Sequence, residues 1–326
     1  MCTAITLPMN DLYFGRTLDL DRSYGEEIVI TPRNFPLPFR HRAPLCEHHA
    51  MIGMAHVSDG YPLYYDAINE KGLCIAGLNF PKFAHYQDAT ANRENISSFE
   101  FIPWVLGLCG SVQELRQRLP HLQLTNDAFS STLQTTPLHW IIADKAECIT
   151  VEAMADGLHV YENPIGVLTN SPSFSEQMFQ LQNYMHLSPD PPQNRFHSSV
   201  DLQPYSRGMG AIGLPGDLSS QSRFVRAAFT KLNSLCSDED SISQFFHILE
   251  TVSQTRGCCR LKDGSCEITL YTSCCNASKG IYYYTTYSNR RISAVDLNRE
   301  NPDRHELIRF PLLLDEDIHF INGAQE

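Results

Sequence analysis

The sequence predicts an α+β fold built in layers, as one domain that covers residues 1–326. Segments with strand character occur in three blocks along the chain, and blocks of helical segments separate them. Strands and helices do not alternate one by one, as they would in a doubly wound sheet. A hydrophobic content of 42% is enough for a large core, and neither an internal repeat nor a break in composition divides the chain.

The first eighty residues predict antiparallel strands. The segments TAITL and LYFGRTL, joined by the turn PMND, predict a hairpin. Four further segments are rich in β-branched or aromatic residues and end at Pro, Gly, Asn or Asp: EEIVITP, AMIGMAHV, YPLYYDAIN and GLCIAGLNF.

Two helices are predicted to interrupt this sheet before a second block of strands. The segment SSFEFIPWVLGLCG has helical apolar spacing, and the next helix starts at Ser111 with Glu114 three residues on, which is a capping-box pattern. The strands resume in LHWIIAD, ECITVEAM, GLHVYEN and GVLTN. The short connection DKAE predicts a hairpin between the first two of them.

The second half of the chain is predicted to hold three helices and then more strands. The helical segments are SFSEQMFQLQNYMHL, SSQSRFVRAAFTKLNSL and EDSISQFFHILETVS. The Pro-rich stretch SPDPPQNRFHSS predicts a loop after the first of them. The final strands are predicted in CEITLYTSCC, GIYYYTTYS and RISAVDL.

Charge and hydropathy argue against two classes of partner. A formal net charge of -12 repels phosphate backbones and no cluster of Lys and Arg reverses it locally, so nucleic-acid binding is not expected. No apolar run approaches the ~20 residues that a membrane span needs. The N-terminus also lacks the basic and apolar regions of a secretory signal, so we expect a cytoplasmic protein.

Most of the eleven cysteines are predicted to be small buried hydrophobic residues, and no metal site is predicted among them. Their number is odd and their spacing irregular, which is typical of proteins in a reducing compartment. The cluster CCRLKDGSCEITLYTSCC lacks the C-x2-C spacing of a zinc knuckle. A second group, His41, Cys46, His48 and His49, is predicted to be a polar loop. No metal and no cofactor is expected.

Cys2, in MCTAITL, is the candidate nucleophile. The thiolate is the reactive form of cysteine, and a thiol with the ordinary pKa of roughly 8.5 is only slightly ionised at neutral pH. Removal of Met1 would leave Cys2 with an α-amine whose ordinary pKa is about 7.7 to 8.0, so that one residue holds nucleophile and base. Arg16 and Asp19, on the next strand of the hairpin, would favour the thiolate and orient the amine. The alternatives are a second residue without function and an ordinary surface ion pair.

Several motifs in a fixed order resemble one family. They are MCTAITL, FGRTLDLD, NEKGLCIAGLNFP, LHWIIAD, GVLTNSP, GLPGDLSSQSRFVRAAF, LYTSCCNASKGIYYYTTY and ISAVDLNREN. From Cys2 to about Asn301 the chain resembles the choloylglycine hydrolases, which comprise bile salt hydrolases and penicillin V acylases. The resemblance implies an N-terminal-nucleophile hydrolase, an αββα four-layer sandwich with two antiparallel sheets between helix layers, and a homotetramer in the cytoplasm of gut bacteria.

The resemblance also implies roles for six catalytic residues. By similarity, Cys2 attacks an amide carbonyl to form a thioester, and Arg16 and Asp19 position and tune it. Asn79 of GLNFP and Asn170 of VLTNSP help to form the oxyanion hole. The sixth is Arg223 of SQSRF, which completes the polar cluster. Without the resemblance, the two asparagines would be interpreted as turn residues and the arginine as a solvated helix charge.

The substrate implied by the resemblance is a conjugated bile salt, because bile salt hydrolases typically carry Asn at the position of Asn79 and penicillin V acylases often carry Tyr. An apolar steroid needs an apolar trough, whose walls are predicted, by position, to be Leu18, Leu20, Tyr61, Tyr65, Phe129 and Leu133. Ser206 and Arg207 stand where this family has a Ser-Arg form associated with taurine conjugates, in place of the Gly-x-Gly form associated with glycine conjugates. A taurine preference is therefore predicted, since a fixed cation suits a sulfonate.

Three other interpretations stay open from the sequence. Penicillin V acylase differs from bile salt hydrolase only in the shape of the pocket. An acyl-enzyme could be captured by a second amine in place of water. A non-enzymatic protein that binds apolar ligands, with Cys2 blocked by a retained Met1, would keep the same fold without the chemistry.

Overall fold

The structure, a computed structural model, describes residues 1–237 and 239–322. The strands within these residues are β1 (Cys2–Pro8), β2 (Leu12–Leu20), β3 (Glu27–Thr31), β4 (Met51–Ser58), β5 (Tyr61–Asn69), β6 (Cys74–Asn79), β7 (Glu94–Ser97), β8 (Leu122–Thr125), β9 (Leu138–Ala143), β10 (Cys148–Met154), β11 (Gly157–Glu162), β12 (Val167–Leu168), β13 (Ile268–Asn276), β14 (Ile281–Thr286), β15 (Ser293–Asp296) and β16 (Ile308–Pro311). The α-helices are α1 (Phe101–Leu108), α2 (Val112–Arg118), α3 (Phe174–Leu181), α4 (Ser220–Asn233) and α5 (Ser241–Glu250).

Two antiparallel sheets form the middle of the molecule. One has six strands in the order β12-β1-β2-β13-β14-β15, and the other has eight in the order β11-β10-β9-β6-β5-β4-β3-β16. Helices α4 and α5 pack on β1, β2, β12 and β13, whereas α1 packs on β5 and β6. The layers are therefore helix, sheet, sheet and helix, which confirms both the α+β prediction and the four-layer sandwich implied by the resemblance.

Two apolar cores hold the layers together. The first joins the two sheets and continues under α4, and it includes Cys2 and Phe224. The second lies between the eight-stranded sheet and α1, and it is built on Trp104 and Trp140. Phe101 meets Trp140 edge-on, with ring centroids 4.7 Å apart. Because Cys2 is part of the first core, packing from both sheets fixes the candidate nucleophile.

The predicted hairpins and one predicted cap are present. Strands β1 and β2 pair from Cys2 opposite Leu18 to Pro8 opposite Leu12, around the predicted turn. The hydroxyl of Ser111 caps α2 by accepting from the backbone N of Glu114 at 3.2 Å. The carboxylate of that glutamate accepts from the backbone N of Gly110, one residue before the position that a full capping box requires.

Three strands were not predicted from the sequence. β7 and β8 have four residues each and form a separate parallel pair, too short to show an alternating pattern. β16 ends in Pro311 and pairs with β3 at the edge of the eight-stranded sheet. A proline argues against a central strand, and an edge position is where a sheet tolerates one. The predicted helix over residues 97–110 is also shorter, because a 3-10 turn at Ser98–Glu100 precedes α1.

A long arm, residues 185–214, joins α3 to the loop before α4. It contains the predicted Pro-rich loop and, within the described residues, only the short 3-10 turn Met209–Ala211. Large apolar side chains on the arm face solvent, among them Met185, Phe196, Tyr205 and Ile212. None of the helices in the described part of the chain combines the length and apolar character needed to cross a membrane.

Candidate active site

Cys2 lies at the start of β1, which runs between β12 and β2 in the six-stranded sheet, and its side chain is buried. In the hairpin register, Cys2 lies opposite Leu18 and Ala4 lies opposite Arg16. Successive side chains of a strand point to opposite faces, so Cys2 and Arg16 share the face toward the other sheet. Asp19 lies on the opposite face, which α4 covers. The hairpin therefore brings the two predicted partners to opposite sides of the candidate nucleophile.

Arg16 is a buried cation beside the sulfur. Its Nη1 donates to the backbone oxygens of Tyr65, at 3.1 Å, and Gly77, both in the eight-stranded sheet. Its Nη2 has no hydrogen-bond partner within residues 1–237 and 239–322. Burial by itself lowers the pKa of Arg16, but the negative charges of Cys2 and Asp66 outweigh it, and the pKa is raised overall. The guanidinium thus stays charged in its buried position.

Asp66, on β5, is a buried carboxylate that interacts with Arg16, and it was not predicted as a site residue. Its carboxylate accepts hydrogen bonds from the hydroxyls of Tyr271 at 2.6 Å, Ser273 at 3.0 Å and Tyr282 at 2.7 Å. Burial raises the pKa of Asp66, while Arg16 and these hydroxyls lower it. An aspartate inside the apolar strand YPLYYDAIN was the signal in the sequence, because a buried carboxylate needs partners.

Asp19 is buried against α4 and the N-terminus. Its carboxylate accepts from the hydroxyls of Thr269 at 2.6 Å and Thr17 at 3.2 Å. Burial raises the pKa of Asp19, whereas Arg223 and the N-terminal amine lower it. Because Asp19 and Arg16 are both fully buried, they are not an ordinary surface ion pair.

Met1 continues the hairpin by one residue. The backbone N of Asp19 donates to the oxygen of Met1 at 2.9 Å. The Met1 amine donates to the oxygen of Asp19 and forms an ion pair with Glu267 at 3.0 Å. With Met1 present, the nitrogen of Cys2 is a peptide N–H that donates to Oδ1 of Asn170 at 2.9 Å.

Arg223, near the start of α4, is fully buried beside the backbone of Cys2. It donates to the backbone oxygen of Cys2, to Oγ1 of Thr3 at 2.7 Å and to Oδ1 of Asn170 at 2.6 Å. Burial lowers its pKa, and the charges of Asp19 and Cys2 partly offset this effect. Arg223 is therefore not a solvated helix charge, and it ties α4 to the first strand.

Asn170 and Asn79 meet beside Cys2, although 91 residues separate them in the chain. Asn170 follows β12, and its Nδ2 donates to the backbone oxygen of Asn79 at 2.8 Å. Asn79 ends β6, and its Oδ1 is buried without a hydrogen-bond partner in the described part of the chain. The structure thus brings all six predicted catalytic residues into one cluster, and their roles stay predictions.

The predicted trough residues fall into two groups. Leu18, Leu20 and Tyr65 belong to or pack against the core between the sheets. Tyr61 and Phe129 belong to or pack against the other core, with their rings 5.8 Å apart.

The remaining predicted binding residues lie in loops. Leu133 is half-buried, in the loop before β9, and Ser206 and Arg207 are exposed on the arm. A cavity of about 540 Å³ lies elsewhere, between β8 and β11, and contains none of the predicted trough residues. Of its two arginines, Arg116 is paired with Glu147 and Glu162, and Arg93 donates to the backbone oxygen of Pro120.

Five of the eleven cysteines are buried, four are half-buried and two are exposed, so fewer are buried than the sequence predicts. Within the described residues, no group of three or more His, Cys, Asp or Glu could hold a metal ion. Both ring nitrogens of His48 lie 2.8 Å from backbone oxygens, those of Phe35 and His49. His41 pairs with Asp127 at 2.7 Å.

Comparison with known proteins identifies the family. Residues 2–310 match the family of linear amide C–N hydrolases described as the choloylglycine hydrolase family. The chain belongs to the choloylglycine hydrolase family. It is 53% identical to the bile salt hydrolase/transferase of Lactiplantibacillus plantarum, over 99% of this chain and all of that one. The conjugated bile acid hydrolase of Lactobacillus gasseri is 38% identical, over 95% of this chain and all of that one.

Solved structures agree with this assignment. A mutant of the conjugated bile acid hydrolase from Clostridium perfringens superposes with a TM-score of 0.93 and 36% identity, over 99% of this chain and all of that one. Penicillin V acylase from Agrobacterium tumefaciens has a TM-score of 0.74 and 18% identity, over 94% and 90% of the two chains, which shows the shared fold. This choloylglycine hydrolase therefore has the fold and the N-terminal cysteine expected of an amide hydrolase.

We expect Arg223→Lys to lower the free energy of unfolding by about 2 to 4 kcal/mol, because the single nitrogen of lysine lacks the planar fork with which Arg223 reaches four separate acceptors. Urea denaturation measures this change. The control is Arg290→Lys, on an arginine whose exposed side chain pairs with Glu250, and its effect should stay within about 0.5 kcal/mol. Equal effects of the two substitutions would contradict the anchoring role of Arg223.

Proposed function

We propose that this protein is a bile salt hydrolase. It would cleave the amide bond of glycine- or taurine-conjugated bile salts and release free bile acid with glycine or taurine. The observation that carries the proposal is the cluster of Arg16, Arg223 and Asn170 around Cys2, in a chain that matches a bile salt hydrolase/transferase over its full length.

Activation of Cys2 requires the loss of Met1. The nitrogen that now donates to Oδ1 of Asn170 at 2.9 Å would become a primary amine already held in place. This amine takes the proton of the thiol, and Arg16 favours the resulting thiolate. Asp19 and Arg223 lie on the other face and hold the surrounding backbone and Asn170, so the amine keeps its position during the reaction.

The proposed reaction has two steps. The thiolate attacks the amide carbonyl, and the amide groups of Asn79 and Asn170 stabilise the oxyanion that forms. The C–N bond then breaks, the α-amine of Cys2 gives its proton to the leaving nitrogen, and a thioester remains. In the second step the amine removes a proton from water, which attacks the thioester, and the proton returns to the sulfur as the bile acid leaves.

Removal of the sulfur should abolish the activity. We expect Cys2→Ser to lower kcat on a conjugated bile salt by at least about 1,000-fold, because a neutral hydroxyl is a far weaker nucleophile than a thiolate. The matched control is Cys46→Ser, on an exposed cysteine, which should leave kcat unchanged. Intact mass spectrometry of the active wild type should show a chain one methionine lighter.

Three results would contradict this account. Undiminished amidase activity in a chain of full mass would refute the amine as base. Faster hydrolysis of penicillin V than of every conjugated bile salt would favour the acylase alternative. A chain that keeps Met1 and binds bile salts without cleaving them would be the non-enzymatic binding protein.

Capture of the thioester by a second amine is the favoured side reaction. The relative from Lactiplantibacillus plantarum is named a bile salt hydrolase/transferase. An acyl-enzyme partitions between water and any amine that reaches it, so the same Cys2 site would serve both outcomes. An excess of a second amine in the assay reveals transfer as a new bile acid amide.

A preference for taurine conjugates is the second part of the proposal, and Ser206 and Arg207 support it. We expect Arg207→Ala to lower the ratio of kcat/KM for taurine over glycine conjugates of one bile acid about tenfold, since a charged hydrogen bond to the sulfonate is lost. Arg195→Ala, on another exposed arginine of the arm, is the control. A wild type that prefers the glycine conjugate would refute this part.

The steroid would lie in a trough lined by some or all of the six predicted wall residues. Leu18, Leu20 and Tyr65 are the better supported, since they belong to or pack against the core that includes Cys2.

We also propose a cytoplasmic location, because no disulfide forms among the cysteines of the described chain, as is typical of a reducing compartment.

The arm supports a homotetramer as the working form. Its exposed apolar side chains are what a subunit interface would cover. We expect light scattering to give four chain masses for the wild type and a smaller assembly for Phe196→Ser with Tyr205→Ser. Phe179→Ser is the control, because that ring is exposed outside the arm. A monomeric wild type would refute the tetramer.

A further inference from the structure

A buried histidine–glutamate pair lies behind the two asparagines. His139 on β9 and Glu152 on β10 have side chains with no exposed surface, and Nδ1 lies 2.9 Å from Oε1. Such a pair is often no more stable than apolar residues of the same volume. Its contacts with its neighbours show what it does for the site.

The ring of His139 fixes the segment that carries Asn79. Leu78 lies opposite His139 in the pairing of β6 with β9. The ring of Phe80 stacks on the imidazole, with centroids 4.2 Å apart and planes 9° from parallel. The residues on both sides of Asn79 are therefore held by the same histidine.

The second ring nitrogen fixes the segment that carries Asn170. Nε2 of His139 lies 3.0 Å from the backbone oxygen of Thr169. A carbonyl oxygen only accepts, so Nε2 carries the hydrogen and donates. Gln177 donates to the backbone oxygen of Asn170 and accepts from the hydroxyl of Thr169 at 2.9 Å. The backbone of Thr169 and Asn170 is thus fixed by hydrogen bonds to two side chains, those of His139 and Gln177.

Glu152 orients the ring. Its Oε1 also accepts from the backbone N of Phe174 at 3.0 Å, at the start of α3, while Oε2 has no partner in the described parts of the chain. One carboxylate oxygen on β10 therefore connects the imidazole, on β9, to the start of α3. No hydrogen bond within residues 1–237 and 239–322 joins this pair to Cys2.

We propose that His139 and Glu152 are positioning residues, which set the separation and orientation of Asn79 and Asn170. The proposal rests on the proposed function, in which these two asparagines hold the oxyanion. Donors to an oxyanion act in the transition state and little in the ground state. Disturbing the pair should therefore lower kcat far more than it changes KM or the reactivity of the sulfur, although Oδ1 of Asn170 also accepts from the nitrogen of Cys2.

The test uses Glu152→Gln, which keeps the shape of the side chain and removes its charge. We expect kcat on a conjugated bile salt to fall at least about tenfold, because a small misplacement of catalytic groups costs that much or more. KM should change less than about threefold. Alkylation of Cys2 by iodoacetamide, followed by mass spectrometry, should keep its rate within about threefold, since displacement of iodide forms no oxyanion.

A second variant and a control separate positioning from loss of stability. Phe80→Leu removes the stacked ring and leaves every polar group of the pair in place, and it should lower kcat in the same way. Thr31→Val removes a buried hydrogen bond of 2.7 Å to Tyr64, away from the asparagines, and should leave kcat unchanged.

Several outcomes would overturn the proposal. Unchanged kcat in both folded variants would do so, and so would an equal fall in kcat and alkylation rate, which would place the effect at the sulfur. If Glu152→Gln does not fold, Phe80→Leu decides alone. A wild type without Cys2-dependent bile salt hydrolysis refutes both proposals, whereas an active wild type with unaffected variants refutes only this one.

Discussion

The candidate site depends on two hydrogen bonds to the backbone of Cys2, one at its N–H and one at its carbonyl. Its N–H donates to Asn170 and its carbonyl accepts from Arg223, and the same arginine also donates to Asn170. These contacts join the first strand, the segment after β12 and the start of α4. Because each partner is buried, the sulfur has one position relative to the asparagines, and preorganisation of this kind is what covalent catalysis requires.

Each face of the first hairpin has a buried arginine and a buried carboxylate that acts on it. Toward the other sheet, Arg16 faces Asp66 and its three hydroxyl donors. Toward α4, Arg223 faces Asp19. A buried charge is costly without a partner, so each arginine needs its own carboxylate. The charges that surround Cys2 thus come from the eight-stranded sheet on one side and from α4 on the other.

The fold was largely predictable because its strands and helices carry clear local patterns. Strands β7, β8 and β16 were missed, since all three are only four residues long and β16 also ends in proline. Cys2, Arg16 and Asp19 followed from thiol chemistry and the predicted hairpin, whereas Asn79, Asn170 and Arg223 came only from the resemblance of motifs, because spacing gives no sign that the two asparagines meet. Asp66 and Glu152 were missed for a similar reason: a carboxylate inside a strand shows that partners exist, while only the fold shows which they are.

The contacts of Met1 bear on whether the chain is processed before or after it folds. Its backbone extends the β1–β2 ladder and its amine is paired with Glu267. A peptidase must take the terminal residue into its own active site, which a residue held in a sheet does not allow. On the proposed mechanism, removal of Met1 would therefore belong to the interval before the hairpin docks, while the chain is still unfolded. A chain that folded first would keep Met1, so the yield of processed molecules would depend on the rate of cleavage relative to the rate of folding.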